Sequence, residues 1–282
     1  MRFGLNTFLT QANFGDTEMH LISEYASWGA DIIELAINEP QAVDASLVAK
    51  TLKEVGIPAH LCAMFPPHRD LRGSEEEQKA TLEYMTDMIE LAPKVGARMI
   101  LGPMYSSVGR CAHHSEEERD EQFALVAKHM KTLCSLAEER GVTLAIEPLN
   151  RFETDMINTL DQATRLIEMV ASPNLKIHVD TFHMNIEEAD SAQSIRKAGD
   201  LVGHFHASAS HRGIPGKDQV HWKSIMKALK DIDYGGDIVI ESFSMDNEII
   251  ARAAAIWIPR YDSAEKLARE GLAFLRKQWS EV

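Results

Sequence analysis

Cysteine is scarce in this sequence: its 282 residues include only Cys62, Cys111 and Cys134. These cysteines are far apart and lack C-x-x-C spacing, so the sequence indicates neither a disulfide framework nor a zinc knuckle. Long apolar stretches are missing too, since no run approaches the roughly 18 to 20 residues that span a bilayer. The N-terminal segment lacks the apolar core of a secretory signal, because it reads MRFGLNTF. We therefore expect a cytoplasmic protein with no membrane partner.

An excess of positive charge is also missing. The chain has 43 acidic and 29 basic residues, and its formal net charge is −14. Proteins that bind a phosphate backbone normally carry a basic face, because counterion release supplies most of their non-specific affinity. We therefore expect no nucleic-acid partner. A small anionic substrate is still compatible with this charge, since a few arginines in a pocket are enough to bind it.

The sequence does contain a repeated alternation of a short apolar run and a longer amphipathic segment. The short runs predict strands at about 2–7, 31–35, 57–63, 97–102, 142–147, 175–180, 201–207 and 237–242. Several are almost continuously apolar, which is typical of parallel strands covered on both faces. Eight strand–helix units predict a (β/α)8 barrel, an α/β fold, with residues 1–282 as one domain. The alternative is an open doubly wound sheet, but no glycine-rich phosphate turn follows Thr7.

The intervening segments carry the marks of helices. Serines three residues before a glutamate fit the capping box that opens a helix, and glycines before a predicted strand fit the end of one. The positions are Ser74 with Glu77, Ser115 with Glu118, and Gly56, Gly96 and Gly141. Between Phe123 and Ala137 the apolar residues step by three and four, which predicts a helix with one face against the barrel wall.

Four side chains able to bind a metal stand at the carboxyl ends of four consecutive predicted strands: Glu147, Asp180, His206 and Glu241. In a parallel barrel these ends open on one face, where catalytic groups collect. Singly, each residue has an ordinary interpretation as a helix cap, a solvated strand end or a structural histidine. All four at one barrel face are much harder to explain in that way. Three carboxylates and one imidazole suit Mn²⁺, Mg²⁺ or Co²⁺ better than a structural zinc ion.

Five segments resemble signature segments of the D-tagatose 3-epimerase family of ketose 3-epimerases. In order along the chain, they read IEPLNRFE, VDTFHMN, GHFHAS, HRGIPGK and IVIESF. This family lies within the xylose-isomerase-like barrel superfamily, and the resemblance covers about residues 142–245. It implies a substrate that is a small ketose sugar and an assembly that is a homodimer or homotetramer, with the apolar stretch 253–258 at the interface.

The resemblance also implies roles for individual residues. The metal ligands would be Glu147, Asp180, His206 and Glu241, with Mn²⁺ the usual ion and Co²⁺ or Mg²⁺ as alternatives. Glu147 and Glu241 would also be the two catalytic acid/base groups. The substrate's O1–O3 end would be contacted by Glu153, His183 and Arg212. Each of these three has a structural alternative: a salt bridge from Glu153 to Arg151, a buried structural His183, and a surface Arg212.

Elementary chemistry gives these groups a task. Inverting carbon 3 of a ketose removes a weakly acidic proton beside a carbonyl. A divalent ion polarises that carbonyl and stabilises the resulting enediolate. One carboxylate then takes the proton from one face, and a second carboxylate returns a proton to the other face.

The sequence departs from the family pattern in two places. After His206 the family usually has H-x-G-E-x-N-R-R, whereas this chain has Ser208 and Ala209 at the glycine and glutamate positions. Many members have Glu-Pro where Glu241 is followed by Ser242. Substrate choice in such barrels depends on the loops of the first four units. There the candidate residues are Asn6, Phe8, Phe14, Glu34, His60, Met64, Phe65, Met104 and Tyr105.

Three other functions remain open at this point. A metal-dependent isomerase of a related keto sugar, keto acid or inosose would use the same proton abstraction. A DNA-repair endonuclease of the same superfamily would need a three-metal site and a basic face, which the net charge of −14 disfavours. A non-catalytic sugar-binding barrel has no need for both candidate acid/base carboxylates.

Overall fold

Eight parallel strands close into a barrel in the order in which they occur along the chain. The computed structural model describes residues 1–245 and 248–282. The strands are β1 (Phe3–Asn6), β2 (Ile32–Ile37), β3 (Ala59–Ala63), β4 (Met99–Gly102), β5 (Thr143–Ile146), β6 (Leu175–Asp180), β7 (Val202–His206) and β8 (Ile238–Ile240). All eight predicted strands are therefore present, with ends that differ by at most two residues from the prediction.

Closure of the barrel decides between the two predicted folds. Strand β1 pairs on one side with β2, where Gly4 lies opposite Ile32. On its other side it pairs with β8, where Phe3 lies opposite Ile238. The open doubly wound sheet is therefore wrong. Gly4 permits the close approach of β1 and β2, because a Cβ at this position would lie 2.5 Å from the carbonyl oxygen of Ile32.

The helices surround the barrel or lie in the loops that connect it. They are α1 (His20–Ser27), α2 (Ala45–Val55), α3 (Glu75–Lys94), α4 (Glu116–Glu139), α5 (Leu160–Val170), α6 (Thr181–Glu187), α7 (Ser191–Ala198), α8 (Trp222–Asp231), α9 (Glu248–Ala253) and α10 (Ala264–Ser280). Both predicted capping boxes are formed, at the starts of α3 and α4. The predicted glycine at the end of α2 is Gly56, which has the left-handed φ of 79° that glycine tolerates best.

The hydrophobic core lies between the barrel wall and the helices. The face of α4 predicted to pack there is buried along its whole length: Phe123, Val126, Ala127, Met130, Leu133, Cys134 and Ala137. Each of the larger apolar side chains contributes about 1.5–3 kcal/mol when it is fully buried. Within the described residues, no helix is both long enough and apolar enough to cross a membrane.

Candidate active site

The four predicted metal ligands meet at the carboxyl-terminal mouth of the barrel. Glu147 and Glu241 directly follow β5 and β8, while Asp180 and His206 are the last residues of β6 and β7. One ligand atom from each of the four lies within 4.8 Å of all the others. All four side chains are buried. Residues up to 94 positions apart in sequence thus form one compact cluster, as a parallel barrel requires.

The unpaired atoms of this cluster fit a divalent ion. His206 Nδ1 lies 3.6 Å from Glu241 Oε2 and 3.9 Å from Asp180 Oδ2. Among the described residues, neither His206 Nδ1 nor Glu147 Oε1 has a hydrogen-bond partner, although both atoms are buried. A buried polar atom without a partner is costly unless something else satisfies it. Three carboxylates and one imidazole nitrogen facing one point would satisfy a hard or borderline cation.

The surroundings of Glu147 and Asp180 shift the pKa values of these two carboxyl groups in opposite directions. Burial raises the pKa of Glu147 well above its usual value, and the charges of Glu241 and Asp180 raise it further. Burial would also raise the pKa of Asp180, but the neighbouring charges, above all that of Arg212, hold that pKa at about 2. Asp180 is therefore a permanent carboxylate. Without a cation, Glu147 therefore binds a proton more readily than Asp180 does.

His206 is oriented from beneath by Glu34, a fully buried residue of β2. Its Nε2 lies 2.7 Å from Glu34 Oε2, which also accepts a hydrogen bond from Asn6 Nδ2 at 2.9 Å. Burial alone would raise the pKa of Glu34, but His206 and His204 hold it well below its usual value. Because an ionised carboxylate can only accept, Nε2 carries a hydrogen, and Nδ1 is the ring nitrogen that faces the other ligands.

Three of the residues considered for substrate choice do not face the loops at the barrel mouth: Glu34, His60 and Tyr105. Glu34 lies inside the barrel below the ligands. His60 Nε2 lies 2.9 Å from Asp237 Oδ2, at the opposite end of the barrel. The hydroxyl of Tyr105 lies 2.9 Å from the carbonyl oxygen of Glu147, a backbone contact that supports β5. All three are polar residues of the first four units, but their side chains point into the scaffold instead of the loops.

A second group of side chains in the barrel interior, His178, His204 and His206, also lies within ligand distance of one another. His204 Nε2 is 2.5 Å from Glu34 Oε1, so two of the three imidazoles already turn a nitrogen towards the same carboxylate. Burial lowers the pKa of His178 well below its usual value, which keeps it neutral. The three rings pack edge to face against one another, so this trio forms a packed layer beneath the four ligands.

Arg212 lies inside the site and not on the surface. Its Nη1 is 2.8 Å from Asp180 Oδ2 and 3.0 Å from Glu241 Oε2. The guanidinium is covered by the rings of Phe182, at 4.1 Å, and Phe243, at 4.9 Å. The surface interpretation of Arg212 is therefore wrong. A cation held against two ligand carboxylates lowers the repulsion among the acidic groups of the site.

His183 also faces the site, with a defined tautomer. The backbone N–H of Asn150 donates to Nδ1 of His183 at 3.0 Å, so Nε2 carries the hydrogen. Burial lowers the pKa of His183, which keeps the ring neutral. Nε2 lies 3.6 Å from the acceptor Glu147 Oε1, whereas Arg212 Nη2, at 3.3 Å, is itself a donor and makes no hydrogen bond to this N–H. The buried ring thus presents one N–H donor to the space beside the carboxylates.

Glu153 is half-buried in the loop between β5 and α5. Its Oε1 accepts a hydrogen bond from Asn150 Nδ2 at 2.7 Å. The alternative of a salt bridge to Arg151 is wrong, because Arg151 pairs instead with Glu187 at 2.9 Å. Glu153 therefore supports the Asn150 side chain, which in turn lies against His183.

Comparison with known proteins agrees with this geometry. The sequence model of the family described as "Xylose isomerase-like TIM barrel" matches residues 22–278. The chain belongs to this family. A relative named "Probable ketose 3-epimerase" from Synechocystis sp. is 31% identical over 99% of this chain and 97% of its own length. L-ribulose 3-epimerase from Mesorhizobium japonicum is 30% identical, over 97% of this chain and 93% of the relative.

A solved structure of a ketose 3-epimerase is also similar to this chain. D-allulose 3-epimerase from Methylomonas sp., solved in complex with D-allulose, superposes with a TM-score of 0.92 at 28% identity. The match covers 99% of this chain and 97% of that one. The predicted resemblance to ketose 3-epimerases is therefore confirmed, and it places the chain among isomerases that act on sugars.

Proposed function

We propose that this protein is a metal-dependent epimerase that inverts carbon 3 of a free ketose. The observation that supports this most directly is the pair Glu147 and Glu241, two buried carboxyl groups of one compact ligand cluster that follow the first and last of its four strands. A sugar-binding protein has no need for both. The proposed ion is Mn²⁺, with Co²⁺ or Mg²⁺ as substitutes, held by Glu147, Asp180, His206 and Glu241.

The chain's own residues divide the reaction between two faces of the sugar. When bound, the ion supplies Lewis acidity that polarises the ketose carbonyl and makes the carbon-3 proton removable. One of Glu147 and Glu241 removes that proton, and the other returns a proton to the opposite face of the enediolate. The Nε2–H of His183 and the guanidinium of Arg212 donate hydrogen bonds to the oxygens on which negative charge develops. Glu153 contacts the same end of the sugar.

The charges at the site favour an uncharged sugar over a sugar phosphate. The three ligand carboxylates are balanced by one divalent ion and the guanidinium of Arg212, which is already paired with Asp180 and Glu241. This arrangement leaves no excess positive charge to attract a phosphate dianion. We therefore propose that the substrate is a free ketose.

A substrate panel tests this proposal. Free D-fructose, D-allulose, D-tagatose and L-ribulose, together with D-fructose 6-phosphate, are incubated with enzyme and Mn²⁺, and the products are resolved by chromatography. We expect the carbon-3 epimer of at least one free ketose and slower or no conversion of the phosphate. An aldose as the main product would support the alternative, an isomerase of a related keto sugar, and contradict the epimerase.

Replacing Arg212 by Ala should lower kcat/KM on the best ketose by about 10- to 100-fold, because a charge-assisted hydrogen bond contributes about 1.5–3 kcal/mol. The variant should still fold, with a lower melting temperature because Asp180 and Glu241 lose a buried partner. Its kinetics are therefore compared at saturating Mn²⁺, with the fold checked by circular dichroism and the metal content measured. Arg140→Ala is the matched control, since Arg140 binds Glu90 at 2.6 Å on the outside of the barrel. Equal kinetics for both variants would exclude Arg212 from the substrate site.

We also propose that the protein is a homodimer or homotetramer. Large apolar side chains near the stretch 253–258 are exposed, among them Ile249 at 74%, Trp257 at 67% and Ile258 at 55%. Single exposed apolar residues are common, but a group of this kind is typical of an interaction surface. Light scattering should give the mass of two or four chains, and Trp257→Asp should shift it towards one. A monomeric wild-type protein would contradict this assembly.

A further inference from the structure

The loop that carries Arg212 has an unusual backbone conformation. Arg212 has a φ of 59°, in the left-handed region that residues other than glycine seldom adopt. Its backbone N–H donates to the carbonyl oxygen of Ala209 at 2.9 Å, which closes the loop into a tight turn. Strained backbone of this kind persists only where surrounding contacts hold it, and it is concentrated at functional sites.

One of these contacts comes from Ser242, directly after Glu241. The Ser242 hydroxyl donates a hydrogen bond to the carbonyl oxygen of Arg212 at 2.6 Å, and both groups are buried. This bond ties the turn to the end of β8. It acts on the backbone of Arg212, so it selects the conformation from which the arginine side chain enters the site.

A second contact comes from Ser208 and acts on the side chain. The hydroxyl oxygen of Ser208 lies 2.7 Å from Arg212 Nη1 and accepts a hydrogen bond from it. The same hydroxyl donates to Asp180 Oδ2 at 3.1 Å. Ser208 therefore fixes Nη1 at the point where the guanidinium also meets Asp180 and Glu241.

We propose that Ser208 and Ser242 are positioning residues for Arg212, one holding its guanidinium and the other its left-handed backbone. Together they keep Nη2 of Arg212 beside His183, where the oxygens of a substrate would bind. The inference rests on the proposed role of Arg212 in substrate binding.

Ser242→Ala gives the cleaner test, because Ser208 also touches a metal ligand. We expect Ser242→Ala to lower kcat/KM by about 3- to 10-fold, the usual effect of one lost hydrogen bond. Its affinity for Mn²⁺, measured by calorimetry, should stay at the wild-type value. Ser224→Ala is the control, since Ser224 makes the same kind of bond to the carbonyl of His221, at 2.8 Å, on the outer helix α8. That control should keep wild-type kinetics.

A double-mutant cycle separates positioning from a general structural effect. In an Arg212→Ala background, Ser242→Ala should cause no further loss, because the side chain that it positions is gone. A second loss of the same size as in the wild type would overturn the inference. So would wild-type kinetics for Ser242→Ala beside an impaired Arg212→Ala, and in that case the proposed function would stand.

Hydrogen exchange supplies a readout that does not depend on activity. Backbone amides of residues 209–213 should exchange faster in Ser242→Ala than in the wild type, with no such change in Ser224→Ala. Unchanged exchange would contradict the inference. If instead Arg212→Ala keeps full activity, the role of Arg212 in the proposed function fails, and the positioning role of both serines fails with it.

Discussion

Glu241→Gln should lower kcat by about 10²- to 10⁴-fold, the range lost when a positioned general acid or base is removed. Gln keeps the shape of the side chain but supplies neither a basic oxygen for proton transfer nor a charge for the ion. Weaker metal binding should add to the loss, so the assay is run at saturating Mn²⁺ with the metal content measured. Glu90→Gln is the matched control, since Glu90 lies on helix α3 and forms an ion pair with Arg140 outside the barrel.

Glu147→Gln should lower kcat by an amount within the same range, but the two variants should not behave identically. Glu147 has the raised pKa and lies 3.6 Å from the N–H of His183, whereas Glu241 lies against Arg212. If each carboxyl group serves one face of the sugar, each variant should still exchange the carbon-3 hydrogen of only one epimer with D2O, and that epimer should be a different one for each variant. Wild-type turnover in Glu241→Gln would refute the two-carboxylate mechanism.

Removal of divalent ions should abolish turnover and lower the melting temperature. Without a cation, three buried carboxyl groups repel one another, and Arg212 offsets that repulsion only in part. An ion present at about 100 times its dissociation constant stabilises the folded state by about 2.7 kcal/mol, which is a shift of several degrees for a chain of this size. Scanning calorimetry and activity assays are made before chelation, after it and after adding back metal.

Mn²⁺ or Co²⁺ should restore both activity and melting temperature to the chelated protein. The control variant is Asp180→Asn, which keeps the size of the side chain but loses one anionic ligand. Its melting temperature should respond less to Mn²⁺ than that of the wild type does. Full activity in a preparation shown to be metal-free would contradict a role for the ion.

Much of the fold could be predicted because its signals are local. The S-x-x-E pattern at Ser74 and Glu77 is a contact between neighbours in sequence, and the structure forms it as predicted. The four ligands could be found for a related reason. Each is at the end of a strand, and barrel topology brings those ends together regardless of loop length. The positions of Glu147 and Glu241 in the site thus follow from barrel topology and not from proximity in sequence.

The roles of Glu34 and Ser242 could not be predicted in the same way. Glu34 lies within β2, and its contact with His206 crosses the barrel interior over 172 residues of sequence. Whether such a side chain points inward or outward depends on strand tilt and register, which composition does not reveal. Ser242 bonds to a backbone carbonyl, so no side-chain pattern in Arg212 or its neighbours marks the contact.

Incubation of the enzyme with its best ketose in D2O tests the central proposal most directly. A carboxyl group that has exchanged with solvent returns a deuteron to the carbon from which a proton was removed. We therefore expect the epimer to carry one deuterium at carbon 3 and none at carbon 1, as read by NMR. A product labelled at carbon 1 or 2, or an epimer with hydrogen retained at carbon 3, would contradict epimerisation by Glu147 and Glu241.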